Sequence, residues 1–197
     1  MKSIYIKSEV TLEAKLSTPQ NKTSKIFIIV SGSGNGDMDG NIKQLKPNMY
    51  QLLSDELTEL GYATLRYNKR GIGKSEGNFH ETGLQDFLVD LEACVNHAKH
   101  ELKYNEIYLL GHSEGCIINT LYSKNHEIDG MILLSGAGIS LKTAVLEQNG
   151  SVISEIKGLK GFKGKLLRVL VKEKSLRKKQ SKLFNKFTTT NKDMMRV

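Results

Sequence analysis

Polar and apolar residues alternate over Ser3–Val10 and again over Leu12–Ser17, the period-two pattern of half-buried antiparallel strands. The pattern then changes. Lys25-Ile-Phe-Ile-Ile-Val30 is a continuous apolar run, as expected of a strand covered on both faces. Over Met49–Leu60 apolar residues recur at spacings of three and four and stop at Gly61, which predicts a helix with its C-terminal signal. Tyr62–Tyr67 reads as the next strand, about Gly83–His100 as a second amphipathic helix, and Asn105–Leu110 as another strand. A helix from Cys116 through Tyr122 and a buried strand over Ile128–Ser135 complete the series. Strands alternating with helices of this length predict the α/β class. The expected architecture is an N-terminal antiparallel hairpin followed by a mostly parallel sheet with helices on both faces.

After residue 140 the alternation fails. Segments 141–149 and 163–187 read as helical and basic. Leu166–Val171 could form a strand, but its lysine flanks favour an amphipathic helix. The expected division is a core over 1–140 and a basic helical segment over 141–197.

Charge sharpens that division. The net charge is +8, yet residues 141–197 alone carry +11 and residues 1–140 carry −3. Phe162, Phe184 and Phe187 are thin aromatic interleaving for a nucleic-acid surface. A solvated helix is therefore the first expectation for this end, contact with an acidic surface or anionic lipid the second, and nucleic acid is not an expected partner. A length of 197 residues, 39% hydrophobic and 25% charged, fits one soluble globular core. Charges interrupt the N-terminus too early for a signal peptide, and no apolar run nears the roughly 18 residues of a membrane span. Cys94 and Cys116 lack metal-ligand spacing and fall on helix faces, so both are expected to be buried free thiols in a reducing, cytoplasmic setting. No metal or cofactor is expected.

Three glycine-rich loops follow predicted strands. Gly111-His-Ser-Glu-Gly115 lies between a strand and a helix, the context of a nucleophile elbow, where glycines permit a sharp turn that exposes the serine. Ser113 is the expected nucleophile, and the backbone N–H of Glu114 an expected oxyanion donor. His112 should point away from Ser113 on so sharp a turn and takes a packing role. The loop Ser31–Gly40 follows an earlier strand, where a second oxyanion donor belongs. The Ser33 N–H is the expected donor and Gly34 the alternative. A dinucleotide fingerprint fails here because Asp37 stands where a third glycine is required. Gly73-Lys-Ser75 imitates the end of a phosphate-binding loop, but position 68 is Asn rather than Gly.

In order and spacing, Ser31–Gly40, Arg70-Gly-Ile-Gly-Lys-Ser75 and Gly111–Gly115 resemble the α/β-hydrolase-fold serine hydrolases, most of all the bacterial esterase and serine-aminopeptidase-like branch. The resemblance covers about residues 1–140. It implies an eight-stranded sheet, a Ser–acid–His triad, a small-molecule acyl substrate, a structural role for the Arg70 loop and a lid after the sixth strand. The triad acid would follow the seventh strand and the histidine the eighth. No histidine follows His126, and the last acid, Asp193, has no preceding strand. The chain is therefore expected to match the N-terminal two thirds of the fold, with the last two strands absent and activity incomplete or weak. His80, in a loop at the carboxyl edge of the sheet, is the histidine best placed to substitute as base. His97, His100 and His126 are not. The rival reading is a non-catalytic, hydrolase-like binding protein whose exposed sheet edge is covered by a second copy or a partner.

Overall fold

The computed structural model of the chain describes residues 1–139 and 141–161. They fall into two compact units, one of residues 1–136 and one that begins at Ala137. The first unit holds six strands: β1 (Lys2–Lys7), β2 (Thr11–Ser17), β3 (Lys25–Val30), β4 (Ala63–Tyr67), β5 (Glu106–His112) and β6 (Gly130–Leu134). Three helices connect them: α1 (Met49–Glu59), α2 (Leu84–Asn96) and α3 (Glu114–Ser123). The second unit contributes α4 (Leu141–Gly158). The expected helix at 163–187 and its strand alternative at Leu166–Val171 lie outside the described residues.

The sheet order is β1-β2-β4-β3-β5-β6. β1 pairs antiparallel with β2, and β2 antiparallel with β4, while β4, β3, β5 and β6 run parallel. The predicted hairpin and parallel sheet are thus both present. Alternate residues of β3 face opposite sides. Ile26, Ile28 and Val30 join Leu91, Val95, Ile118 and Tyr122 of α2 and α3 in the larger core. Phe27 and Ile29 join Tyr50 and Leu110, with Met49, Leu53 and Leu57 of α1 packed against them. Helices therefore cover both faces, and β3 reads as a continuous apolar run because neither of its faces meets water.

The structure corrects one expectation and refines others. The strand at Ile128–Ser135 is present but is not buried: Met131, Ile132 and Leu133 of β6 are 36%, 39% and 45% exposed. An apolar run identifies a strand but not what covers it, and among the described residues β6 pairs on one edge only. The helix expected to reach His100 passes into a π-helical turn at His97–Glu101, closed by the Leu102 N–H on the His97 carbonyl. The helix expected over 141–149 continues through Asn149-Gly150 to Gly158, with the Ser151 hydroxyl donating back to the Glu147 carbonyl. Cys94 and Cys116 are buried free thiols, and burial raises both pKa values.

Candidate active site

β5 ends at His112 and α3 begins at Glu114, leaving Ser113 alone to make the turn. Its backbone takes φ 53° and ψ −111°. That is far from the left-handed helical well, where ψ is positive, and close to a turn position that favours glycine. The glycines on either side explain why the turn can close. A Cβ on Gly115 would lie 2.2 Å from the Val30 carbonyl oxygen. One on Gly111 would lie 2.6 Å from the Gly115 carbonyl. The elbow therefore packs directly on the end of β3. The Ser113 N–H donates to the Leu134 carbonyl of β6 at 2.9 Å, and Cys116, a protonated thiol, reaches the Gly111 and Leu134 carbonyls at 3.2 Å. Among the described residues nothing hydrogen-bonds the Ser113 hydroxyl. The Glu114 N–H, in the first turn of α3, is one of the donors that a helix leaves without an internal partner.

The loop after β3 passes over this elbow. A Cβ on Gly32 would meet the Ser113 Cβ at 3.3 Å and His112 Nδ1 at 2.9 Å, so any larger residue at this crossing would have to displace the His112 ring. The Gly32 N–H donates to the Tyr50 hydroxyl at 2.8 Å, and the same hydroxyl bonds His112 Nδ1 at 2.9 Å. Burial raises the Tyr50 pKa, so the phenol stays neutral. His112 is thus engaged by Tyr50, in keeping with a packing role. On the other side of the Gly32 residue, Lys69 Nζ donates to its carbonyl at 2.7 Å and to Glu114 Oε2 at 2.7 Å. The rest of the loop is anchored by the Arg66–Asp39 pair at 3.0 Å and by Met38 N–H on Asn68 Oδ1 at 2.6 Å. Ser33 and Gly34 sit exposed beyond this crossing. A Cβ at Gly34, whose φ is +96°, would meet nothing within 4 Å.

The third loop is filled by its own side chains. Arg70 donates to both oxygens of buried Asp90 at 2.9 Å and reaches Asp86 at 3.2 Å and Glu9 at 3.1 Å. The Lys74 N–H and Asn68 Nδ2 both donate to Glu13 Oε2 at 2.8 Å, where a phosphate-binding loop would leave its donors free. The Ser75 hydroxyl donates to the Asn68 carbonyl and accepts from the Glu13 N–H, both at 2.9 Å. Arg70 and its loop therefore brace β2, β4 and α2. His80 is exposed and packs edge-on against Phe79 at 5.8 Å. His126 stacks on Tyr122 at 4.0 Å. Among the described residues no cluster of His, Cys, Asp or Glu could hold a metal, and no helix is long and apolar enough to cross a membrane.

A family model described as serine aminopeptidase, S33, matches residues 46–196, more than half of the chain. The chain belongs to this family. It is 25% identical over 121 residues to the esterase EstD of Thermotoga maritima, covering 61% of this chain and 29% of that one. Its fold resembles Est1E from Butyrivibrio proteoclasticus, solved with ferulic acid bound, at 29% identity and TM-score 0.55, over 65% of this chain and 50% of that one. It also resembles an alpha-beta serine hydrolase homologue from Coxiella burnetii at 26% identity and TM-score 0.60, over 74% of this chain and 67% of that one. The fold is the α/β-hydrolase fold. The chain spans 29% of the length of EstD and half that of Est1E.

Within this family framework, the structure brings Gly32 of the Ser31–Gly40 loop against Ser113, next to Glu114; Ser33 and Gly34 follow it in the exposed part of the loop, and no contact is seen between His80 and Ser113. Sequence reasoning missed Tyr50 and Lys69. A signal for Lys69 existed: a lysine two residues after one strand and a glutamate directly after the elbow serine are opposite charges at the same edge of the sheet. Tyr50 had none beyond its place on the apolar face of α1.

Proposed function

We propose that the protein is a serine hydrolase that attacks esters or similar acyl bonds of small molecules through an acyl-Ser113 intermediate. The observation that carries this reading is the backbone of Ser113, a non-glycine residue held at φ 53° between β5 and α3 with Gly32 packed against it. Strain of this kind persists where the surroundings over-determine it and clusters at active sites.

In the proposed reaction the Ser113 hydroxyl oxygen bonds to the substrate carbonyl carbon. The carbonyl π electrons move onto its oxygen, which accepts hydrogen bonds from the Glu114 and Ser33 N–H groups, with the Gly34 N–H as the alternative to Ser33. Collapse expels an alkoxide, which takes a proton from water, or an amine that water has already protonated; water then adds to the acyl-serine, Ser113 leaves with a proton, and the carboxylic acid is released. The serine proton must pass to a base, and no described histidine touches Ser113. Acceleration from the oxyanion hole and binding alone leaves about 10³–10⁴-fold over water, so turnover by this chain is expected to be weak.

The test is labelling with a fluorophosphonate probe, comparing the wild type with Ser113→Ala. Labelling of the wild type alone supports an activated serine, and failure of the wild type to label overturns the acyl-serine reading. Because Est1E was solved with ferulic acid, methyl ferulate joins p-nitrophenyl acetate as a first substrate probe.

A further inference from the structure

The geometry points to Lys69 as a positioning residue that fixes the direction of the Gly32–Ser33 peptide and ties it to the elbow. The inference rests on the proposed oxyanion role of Ser33. The Gly32 carbonyl and the Ser33 N–H belong to one peptide group. In a trans peptide they point in opposite directions from a rigid plane. Lys69 holds the carbonyl from the interior, where its side chain is 3% exposed, so the Ser33 N–H must point outward. Rotating the peptide by half a turn would do two things. It would present a carbonyl oxygen to a developing oxyanion, and it would strip a buried ammonium of a partner.

Lys69 has two further partners. Its Nζ donates to Glu114 Oε2 at 2.7 Å and stands 4.7 Å from the centre of the Phe87 ring. Glu114 is also the residue whose N–H is the other proposed oxyanion donor. A single buried cation therefore spans both halves of the hole. It fixes one through a carbonyl and the other through a carboxylate at the start of α3. Tyr50 holds the Gly32 N–H from the opposite side, so the peptides on either side of Gly32 are both held.

The test uses the full chain with Lys69→Met and the double variant Lys69→Met/Glu114→Gln. The second variant replaces the ion pair by neutral groups and so avoids an unpaired, half-buried carboxylate. Thermal denaturation verifies folding. Exposed Lys74, in the same loop, supplies the control Lys74→Met. The fluorophosphonate labelling rate of the folded double variant is expected to fall ten- to a hundredfold, somewhat less than loss of a whole oxyanion donor, about 10²–10³-fold. The loss should lie in kinact rather than KI, and the control should label as the wild type does. Wild-type kinact in the double variant overturns the inference. A crystal structure of that variant decides the matter independently of labelling. A reoriented Gly32–Ser33 peptide supports the role of Lys69, and an unchanged one overturns it even if the wild type proves unreactive and the hydrolase reading fails.

Discussion

Replacing Ser113 by glycine should make the protein more stable. Ser113 holds φ 53° and ψ −111°, a conformation that a side chain disfavours by about 1–3 kcal/mol. Glycine adopts it freely but loses more backbone freedom on folding, a cost of about 0.5–1 kcal/mol. The hydroxyl makes no hydrogen bond to a described residue, so its removal offsets little. The net gain is about 0–2.5 kcal/mol and centres on about 1 kcal/mol, which is about 2–4 °C in Tm for a domain of this size. Ser113→Ala is the necessary comparison: it deletes the same hydroxyl but keeps Cβ, and with it the strain, so its stability should stay within about 0.5 kcal/mol of the wild type. Urea unfolding of the three proteins, with m unchanged, measures the differences. If Ser113→Gly is no more stable than Ser113→Ala, the turn is not strained and strain does not mark this elbow as a functional site.

Gly115→Ala should act in the opposite sense. Its Cβ would lie 2.2 Å from the Val30 carbonyl oxygen, forcing α3 and β3 about 1 Å apart, at a cost of about 1–3 kcal/mol in urea unfolding. Tyr50→Phe leaves the Gly32 N–H and His112 Nδ1 without their shared partner, and should cost about 1–3 kcal/mol and speed amide exchange at Gly32 as read by NMR. Burial pushes the Tyr122 phenol up to about 12 from 10.0. A raised folded-state pKa means that its contribution is fully present below pH 10 and is lost as pH rises toward 12. Unfolding monitored across that window should show Tyr122→Phe losing less stability with pH than the wild type does.

Legibility differed with the range of the cause. β3 and the elbow could be read because each is specified locally, by an unbroken apolar run and by glycines two residues from a serine. The exposure of β6 could not, because a run of Met131-Ile-Leu-Leu134 records that a strand forms and not which neighbours cover it. The helix ends drifted for a related reason. Asn149-Gly150 is a stop signal by propensity, yet α4 continues through it, and propensity is a weak prior that the surroundings override. Tyr50 and Lys69 lay furthest from local reading, since their partners His112 and Glu114 are 62 and 45 residues away. Convergence at that separation leaves no periodic trace.

Holding a serine in a strained turn and activating it as a nucleophile are separate physical tasks. Among the described residues, the contacts that hold Ser113 in its turn come from the unit of residues 1–136: the Val30 carbonyl against Gly115, the Leu134 carbonyl on the Ser113 N–H, and Cys116 between Gly111 and Leu134. The proposed oxyanion donors are fixed by the same unit through Lys69 and Tyr50. None of these contacts involves a histidine that could take the serine proton, since His112 is held by Tyr50 and His80 faces solvent. In the described residues the geometry of the proposed hole is therefore set without a histidine base. It follows that a small nucleophile or base supplied in solution, such as imidazole, should raise the labelling rate of Ser113 without altering the stability of the fold. A protein whose elbow was shaped by its triad partners would not divide in this way.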